Sequence, residues 1–424
     1  MIGAAVPAAP ALSRTADRAL VPLLTALLVA LMTSITVVGV VTGLIIAASL
    51  VRLTDPALRA RDRAPLAWPL LAFAAVTLFS AALSERPGVA FFESKQLLGV
   101  TLFYAAVNGF RGGEDVHRAL RWLFATVCVV ALHAFVQVWA CHSRVPLPDW
   151  ADWPLRVHVY LCRDGPLFRA RAFFSIYMTL GGSLIISIAL ILASLAAGVR
   201  PRRTEGAVTG ILASIALALT YVRSAWVGLG VAVVLITGLT RRYWLLPGFV
   251  AVTALAFAVP SPLQQRAVSI ADRSDPGANE RLYFWKSGLG MVRDAPLLGL
   301  GPGGVRRHYP EYKNPAARRP GTGHLHNNLV QIAAERGLLG LVAWLAIWIV
   351  FFVRAGRIYA RVPASRGDDR ALVAGSVAAV GAFLVAGLFE YNFGDSEIIG
   401  LVWVVMAFPF VVGREDDALP AHQE

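Results

Sequence analysis

Residues 172–198 read AFFSIYMTLGGSLIISIALILASLAAG, a stretch without one acid or base. At 1.5 Å of rise per residue, a helix over this stretch is about 40 Å long, more than the ~30 Å hydrocarbon thickness of a bilayer. Backbone amides in lipid must find partners inside their own segment, so such a block is a helix and not an open strand. Similar blocks recur at 20–34, 36–51, 65–83, 97–110, 121–140, 206–221, 225–240, 243–260, 337–353, 371–389 and 397–413. The whole chain agrees with its blocks. Its 424 residues are 57% hydrophobic and 15% charged, where a soluble domain carries about a quarter charged residues. The expected fold is an all-α polytopic membrane protein of about twelve transmembrane helices. Residues 1–19 hold no apolar core, and no convincing cleavage site follows the first block, so that block is read as a retained span.

Arginine placement sets the orientation. With the N-terminus inside, the inner connections are 52–64 (Arg52, Arg59, Arg61, Arg63), 111–120 (Arg111, Arg118), 199–205 (Arg200, Arg202, Arg203), 241–242 (Arg241, Arg242) and 354–370 (Arg354, Arg357, Arg361, Arg366, Arg370). All are basic. The short opposite connections are neutral, mixed or acidic, as at 390–396 with Glu390 and Asp395. This is the positive-inside pattern, and it puts both termini in the cytoplasm. The chain then divides into 1–260 (nine spans, with an outer loop at 141–171), an outer loop at 261–336, and 337–424 (three spans and a cytoplasmic tail).

Two long outer loops are basic against the rule, which long loops tolerate. Residues 141–171 carry Arg144, Arg156, Arg163, Arg169 and Arg171. Residues 261–323 hold Arg266, Arg273, Arg281, Lys286, Arg293, Arg306, Arg307, Lys313, Arg318 and Arg319. As a set they suit an anionic ligand such as a diphosphate. A solvated surface or attraction to headgroups is the plain alternative for any one of them. Cys128 lies in a span and reads as packing. Cys141 and Cys162 bracket the first outer loop, where a disulfide would add about 2–4 kcal/mol. Trp150 and Trp153 in that loop read as interfacial anchors.

The loop at 261–336 holds the chemistry. In NERLYFWKSGLGMVR (279–293), Leu282, Trp285, Leu289 and Val292 recur at helical spacing with Asn279 as a cap, which predicts an amphipathic helix presenting Arg281 and Lys286. PLLGLGPGG (296–304) has four glycines, but no strand precedes it, so it reads as a tight turn and not a nucleotide site. In GTGHLHNNLVQIAAERG (321–337), Asn328 and Gln331 predict a helix start of capping-box type. His324 and His326 then precede a helix N-terminus, whose positive end favours neutral imidazole, a competent base. Two histidines are too few for a zinc site, and no HExxH or DxD accompanies them, so no metal or cofactor is expected. Arg223, in TYVRSAWVG, falls at or just below the outer interface, and Arg169 and Arg171 stand at the entrance of span six. His133 and Gln137 share a helical face and read as packing hydrogen bonds.

These residues together resemble the bacterial O-antigen ligases and their relatives, the O-antigen polymerases and protein O-oligosaccharyltransferases. The resemblance rests on twelve spans, a large outer loop before the tenth, Arg223 ahead of the eighth, R-x-x-x-W (Arg281 to Trp285), P-x-x-G-x-G (Pro296, Gly299, Gly301), HLHN (His324 to Asn327) and E-x-G (Glu335, Gly337). It implies a GT-C-like architecture in the bacterial inner membrane. The implied reaction is metal-independent, inverting transfer of O-antigen from undecaprenyl diphosphate to lipid A–core at the periplasmic face. Arg223 and Arg281 would hold the diphosphate and His326 would act as base. His324, Asn327, Arg169, Arg171 and Lys286 would contact substrate. The partners expected are those two substrates and membrane lipids, with no nucleic acid. A polymerase or protein-directed transferase remains open within the superfamily. A lipid-linked glycan transporter is the non-enzyme alternative, disfavoured because the charges gather at one face and not at mid-membrane.

Overall fold

The computed structural model describes residues 11–143, 168–197, 202–258, 264–265, 268 and 276–418. Arg144, Trp150, Trp153, Arg156, Cys162, Arg163, Arg200, Arg266 and Arg273 lie outside the described residues, as does the pairing expected between Cys141 and Cys162. Cys141 is disulfide-bonded and Cys128 is a free thiol.

Among the described residues the protein is helical and has no strand. The elements are α1 (Ala11–Ala30), α2 (Ile35–Leu53), α3 (Pro56–Arg59), α4 (Ala67–Ala82), α5 (Pro87–Glu93), α6 (Gly99–Gly109), α7 (Gly113–Ser143) and α8 (Tyr177–Ala197). They continue with α9 (Arg202–Leu219), α10 (Arg223–Thr240), α11 (Leu245–Ala258), α12 (Pro276–Asp294), α13 (Gly304–Tyr312), α14 (Asn328–Arg361), α15 (Gly367–Ala386) and α16 (Ser396–Ala418).

Each of the twelve apolar blocks overlaps a helix. Seven of these helices (α2, α7, α8, α10, α14, α15 and α16) are long and apolar enough to cross a membrane. The helix α6 has 11 residues, which at 1.5 Å each reach only about 16 Å. The chain is a multi-pass membrane protein. Its centre is α8, α15 and α16, whose most apolar windows are 78%, 78% and 83% buried. Around them α9 and α10 pack on α8, α10 packs on α15, α6 on α16, and α4 on α14.

The helix α14 joins the helix start expected at Asn328 to the span expected from residue 337, with a break between them. It starts at Asn328 and breaks at Gly337, where φ is +68°. The turn at 296–301 threads into that break. Leu300 N donates to Ala334 O (2.9 Å), and Leu338 N donates to Pro296 O (2.8 Å). Ser80 Oγ, from α4, donates to both Leu298 O (2.6 Å) and Glu335 O (2.9 Å). Gly299 (φ +67°) rides so close that a Cβ there would lie 2.5 Å from the Glu335 carbonyl carbon, and one on Gly337 would lie 2.0 Å from Leu297 O. The two glycine motifs are thus halves of one joint.

The helix expected at 279–293 is present but starts earlier, at Pro276, so Asn279 lies in its first turn and does not cap it. Its buried face is Phe284, Ser287, Gly288 and Met291. Leu282 and Leu289, on the apolar side expected to lie along the membrane, are 48% and 60% exposed. The stripe that packs is the one with space for its neighbours, since a Cβ on Gly288 would meet Val330 at 2.5 Å and Leu325 at 2.6 Å.

Gly337→Ala should therefore lower the thermal midpoint of the purified protein in detergent. With φ +68° and ψ −176°, Gly337 holds a conformation that is essentially glycine-only and costs another residue about 1–3 kcal/mol, and the clash with Leu297 adds to that. Gly356→Ala in the same helix, with open space around its Cβ, should gain up to about 1 kcal/mol of helix propensity. Equal midpoints for the two variants would refute the joint.

Candidate functional site

Three separate segments converge just outside the α14 N-terminus. The first is the HLHN segment. Leu325 is fully buried, and its N–H donates to Gln331 Oε1 at 2.8 Å. His326 takes φ +51°, which turns the chain sharply into the helix. Asn327, one residue ahead of the cap expected, is the N-cap, and its Oδ1 accepts from Val330 N at 3.1 Å. Such caps stabilise a helix by about 1 kcal/mol. Its amide nitrogen donates to Leu388 O at 2.8 Å. Asn328 instead joins α14 to the loop after α15. Its Nδ2 donates to Asn392 Oδ1 at 2.7 Å, and its backbone N donates to Gly387 O at 2.7 Å.

That seam brings in the second segment, 387–395, and with it Glu390. The carboxylate lies 2.8 Å and 3.0 Å from His326 Nδ1 through its two oxygens. His324 Nδ1 is 3.6 Å from Oε1. The third segment is α12, whose Arg281 Nη2 is 3.8 Å from Glu390 Oε2 and whose Phe284 stacks on the His326 ring at 5.6 Å. Burial alone would raise the Glu390 pKa. The His326 hydrogen bond and the charges of His326, His324 and Arg281 reverse this and hold it below the usual carboxylate value. A carboxylate on Nδ1 fixes the imidazole proton there and leaves the Nε2 lone pair available as a base.

His324 behaves differently. Burial, the neighbouring His326, and the positive charges of Arg306 and Arg281 outweigh Glu390 and bring its pKa down to about 4. It is neutral at pH 7. His324, His326 and Glu390 could by spacing hold a metal ion, their ligand atoms lying within 4.8 Å of one another. Arg281 stands beside that cluster, its Nη2 3.8 Å from Glu390 Oε2, and a cation there would meet like charge.

The residues expected to act together do share a space. A cavity of about 520 Å³ is lined by Arg223, Arg281 and His326, with Arg169 on its edge. Arg223 is the first residue of α10, so the positive end of that helix faces the cavity region with its side chain. The Arg169 guanidinium lies over the Tyr177 ring at 4.6 Å. Gln137 holds the backbone two residues on, its Oε1 accepting from Arg171 N (3.2 Å) and Ala172 N (2.9 Å), the packing use expected of that residue. Arg171 donates through Nη1 to Ser175 O at 3.2 Å and does not line the cavity. Lys286 is exposed on α12 and does not line it either. Asn327 is 7% exposed, and both ends of its amide are taken by the backbone bonds described above.

Glu390 was missed from sequence. The available signal was an acid in a short connection between two apolar blocks.

Residues 208–345 match the family model described as Wzy_C, O-antigen ligase. The match contains Arg223, Arg281, His324, His326, Glu335 and Gly337 and stops short of Glu390, so the resemblance read from the motifs holds over this part of the chain. No curated protein matches the chain.

The lowered His324 pKa fixes a sign. Between pH 6.5 and about 4 the unfolded chain takes up a proton at this position that the folded chain refuses, so this group's contribution is lost as pH falls through that window. His324→Gln should flatten the fall in thermal midpoint between about pH 6.5 and 4. An unchanged pH profile would contradict the shift.

Proposed function

We propose, with the O-antigen ligase domain at residues 208–345 as premise, that this protein is a metal-independent, inverting glycosyltransferase. It moves O-antigen polysaccharide from undecaprenyl diphosphate to lipid A–core. In this reading about twelve spans sit in the bacterial inner membrane with both termini cytoplasmic, and the site opens to the periplasm. The observation that carries the reading is that Arg223, Arg281 and His326, from three distant segments, line one cavity while Glu390 engages His326 Nδ1.

The chemistry follows from those positions. Arg223 and Arg281 bind the donor diphosphate and stabilise the charge that grows on it as the bond to the anomeric carbon breaks. His326 Nε2 takes the proton from an acceptor hydroxyl as its oxygen attacks that carbon. Glu390 stabilises the resulting imidazolium and fixes the productive tautomer. Undecaprenyl diphosphate leaves from one face while the acceptor enters from the other, so the anomeric configuration inverts. Arg169 lies at the edge of the same cavity and extends the diphosphate contact.

What separates a ligase from a polymerase or a protein O-oligosaccharyltransferase is the acceptor. Reconstitution with purified lipid-linked polysaccharide and lipid A–core tests this directly, and product on lipid A–core is the expected outcome. His326→Ala should reduce the rate by about 10²–10⁴-fold, the usual worth of a general base, with donor binding largely kept. Glu390→Gln should fall in the same range, because an amide N–H facing Nδ1 drives the ring proton onto Nε2 and removes the lone pair. A fully active His326→Ala protein would overturn the base. EDTA treatment should leave transfer unchanged; its loss, restored by a divalent ion, would favour a metal site at His324, His326 and Glu390.

A further inference from the structure

A second cavity, of about 380 Å³, lies on the other side of the histidine pair. His326 lines the first cavity and His324 the second, their rings 4.2 Å apart, and Met178 lines both. The acids around the second cavity are mostly committed. Glu335 accepts from Gly303 N (2.9 Å) and Arg336 Nη1 (3.0 Å). Glu390 serves His326, and Asp395 accepts from Thr179 Oγ1 (2.6 Å) and Ile398 N (3.1 Å). What remains is Glu93 against Arg306 and Arg307. Arg307 is the anomaly. All three of its guanidinium nitrogens are shielded from solvent and have no hydrogen-bond partner, and no ion pair compensates them among the described residues. A desolvated, unpaired guanidinium is costly to the folded protein. Groups of that kind persist where a ligand completes them.

We propose that the second cavity receives the acceptor glycan and that Arg307 binds an acid group, phosphate or carboxylate, carried by that glycan near its reacting hydroxyl. This inference rests on the transfer reaction proposed above. In a one-step displacement the nucleophile must approach opposite the leaving group, and a cavity across the histidine pair from Arg223 and Arg281 provides that approach. His324, uncharged, offers a hydrogen bond to a sugar hydroxyl there without repelling Arg307.

The test measures transfer with each substrate varied in turn. Arg307→Gln should raise the acceptor KM by about tenfold or more, the worth of a charged hydrogen bond, and Arg307→Lys should recover part of the loss. The donor KM should stay within about twofold. Enzymatic dephosphorylation of the acceptor, and separately reduction of its carboxylates, identifies the group: with the right one removed, wild type and Arg307→Gln should have the same acceptor KM. An acceptor KM unchanged in Arg307→Gln, or a donor KM raised equally, overturns the proposal. If His326→Ala is inactive and Arg307→Gln is indifferent, only this inference falls. Thermal unfolding supplies an arm that needs no turnover. Arg307→Met should melt at or above the wild-type midpoint, since it removes an unpaired buried charge, and inorganic phosphate should raise the midpoint of wild type and not of Arg307→Met. A strongly destabilised Arg307→Met, or a phosphate response it shares with wild type, marks a structural arginine and overturns the proposal.

Discussion

The Glu390 carboxylate sits where three segments distant in sequence meet: the turn after α15, the HLHN segment ahead of α14, and the first turns of α12. Desolvating a carboxylate is expensive, and the expense is met only when several donors face it at once. Here His326, His324 and Arg281 do so. The same contact that neutralises the buried acid therefore sets the His326 tautomer, keeps Arg281 turned toward the cavity, and holds the two histidines side by side. Stability of this region and the orientation of the His326 ring have one cause.

Around that contact the protein is built to keep backbone geometry fixed. The left-handed turn at His326 and the break at Gly337 bracket a short outer piece of α14. Its carbonyls and amides are shared with the 296–301 turn on one side and, through Asn328, Gly387 and Asn392, with the end of α15 on the other. Few bonds here are between flexible side chains. Most join backbone to backbone or a short amide to backbone, which costs little rotamer entropy.

Much of this was legible in the sequence. Charge-free apolar blocks have no alternative to helix in lipid, so the helical segments could be read directly. Arg223, Arg281 and His326 were found as motif residues, and they line one cavity. What could not be read depended on contacts between distant residues. Glu390 lies 64 positions from His326, and nothing local marks it apart from other outer acids. The face of α12 that packs against the protein could not be read from periodicity, because it owes its fit to Gly288, whose lack of a side chain admits Leu325 and Val330. The helix start was missed by one residue because two adjacent asparagines are equally good caps, and the positive φ at His326 decides between them. Asn327, Arg171 and Lys286 carry polar groups of the right kind, but the first two are used up in local bonds and the third faces outward.

The break at Gly337 also divides α14 mechanically. C-terminal to it the helix runs on to Arg361, in a segment long and apolar enough to cross a membrane. Outward of it, adding or deleting one residue would rotate His326 by about 100° about the helix axis, away from Glu390. The nine-residue piece between Asn328 and Arg336 is thus a fixed-length gauge, and any change in the shape of the cavity has to come from the walls around it.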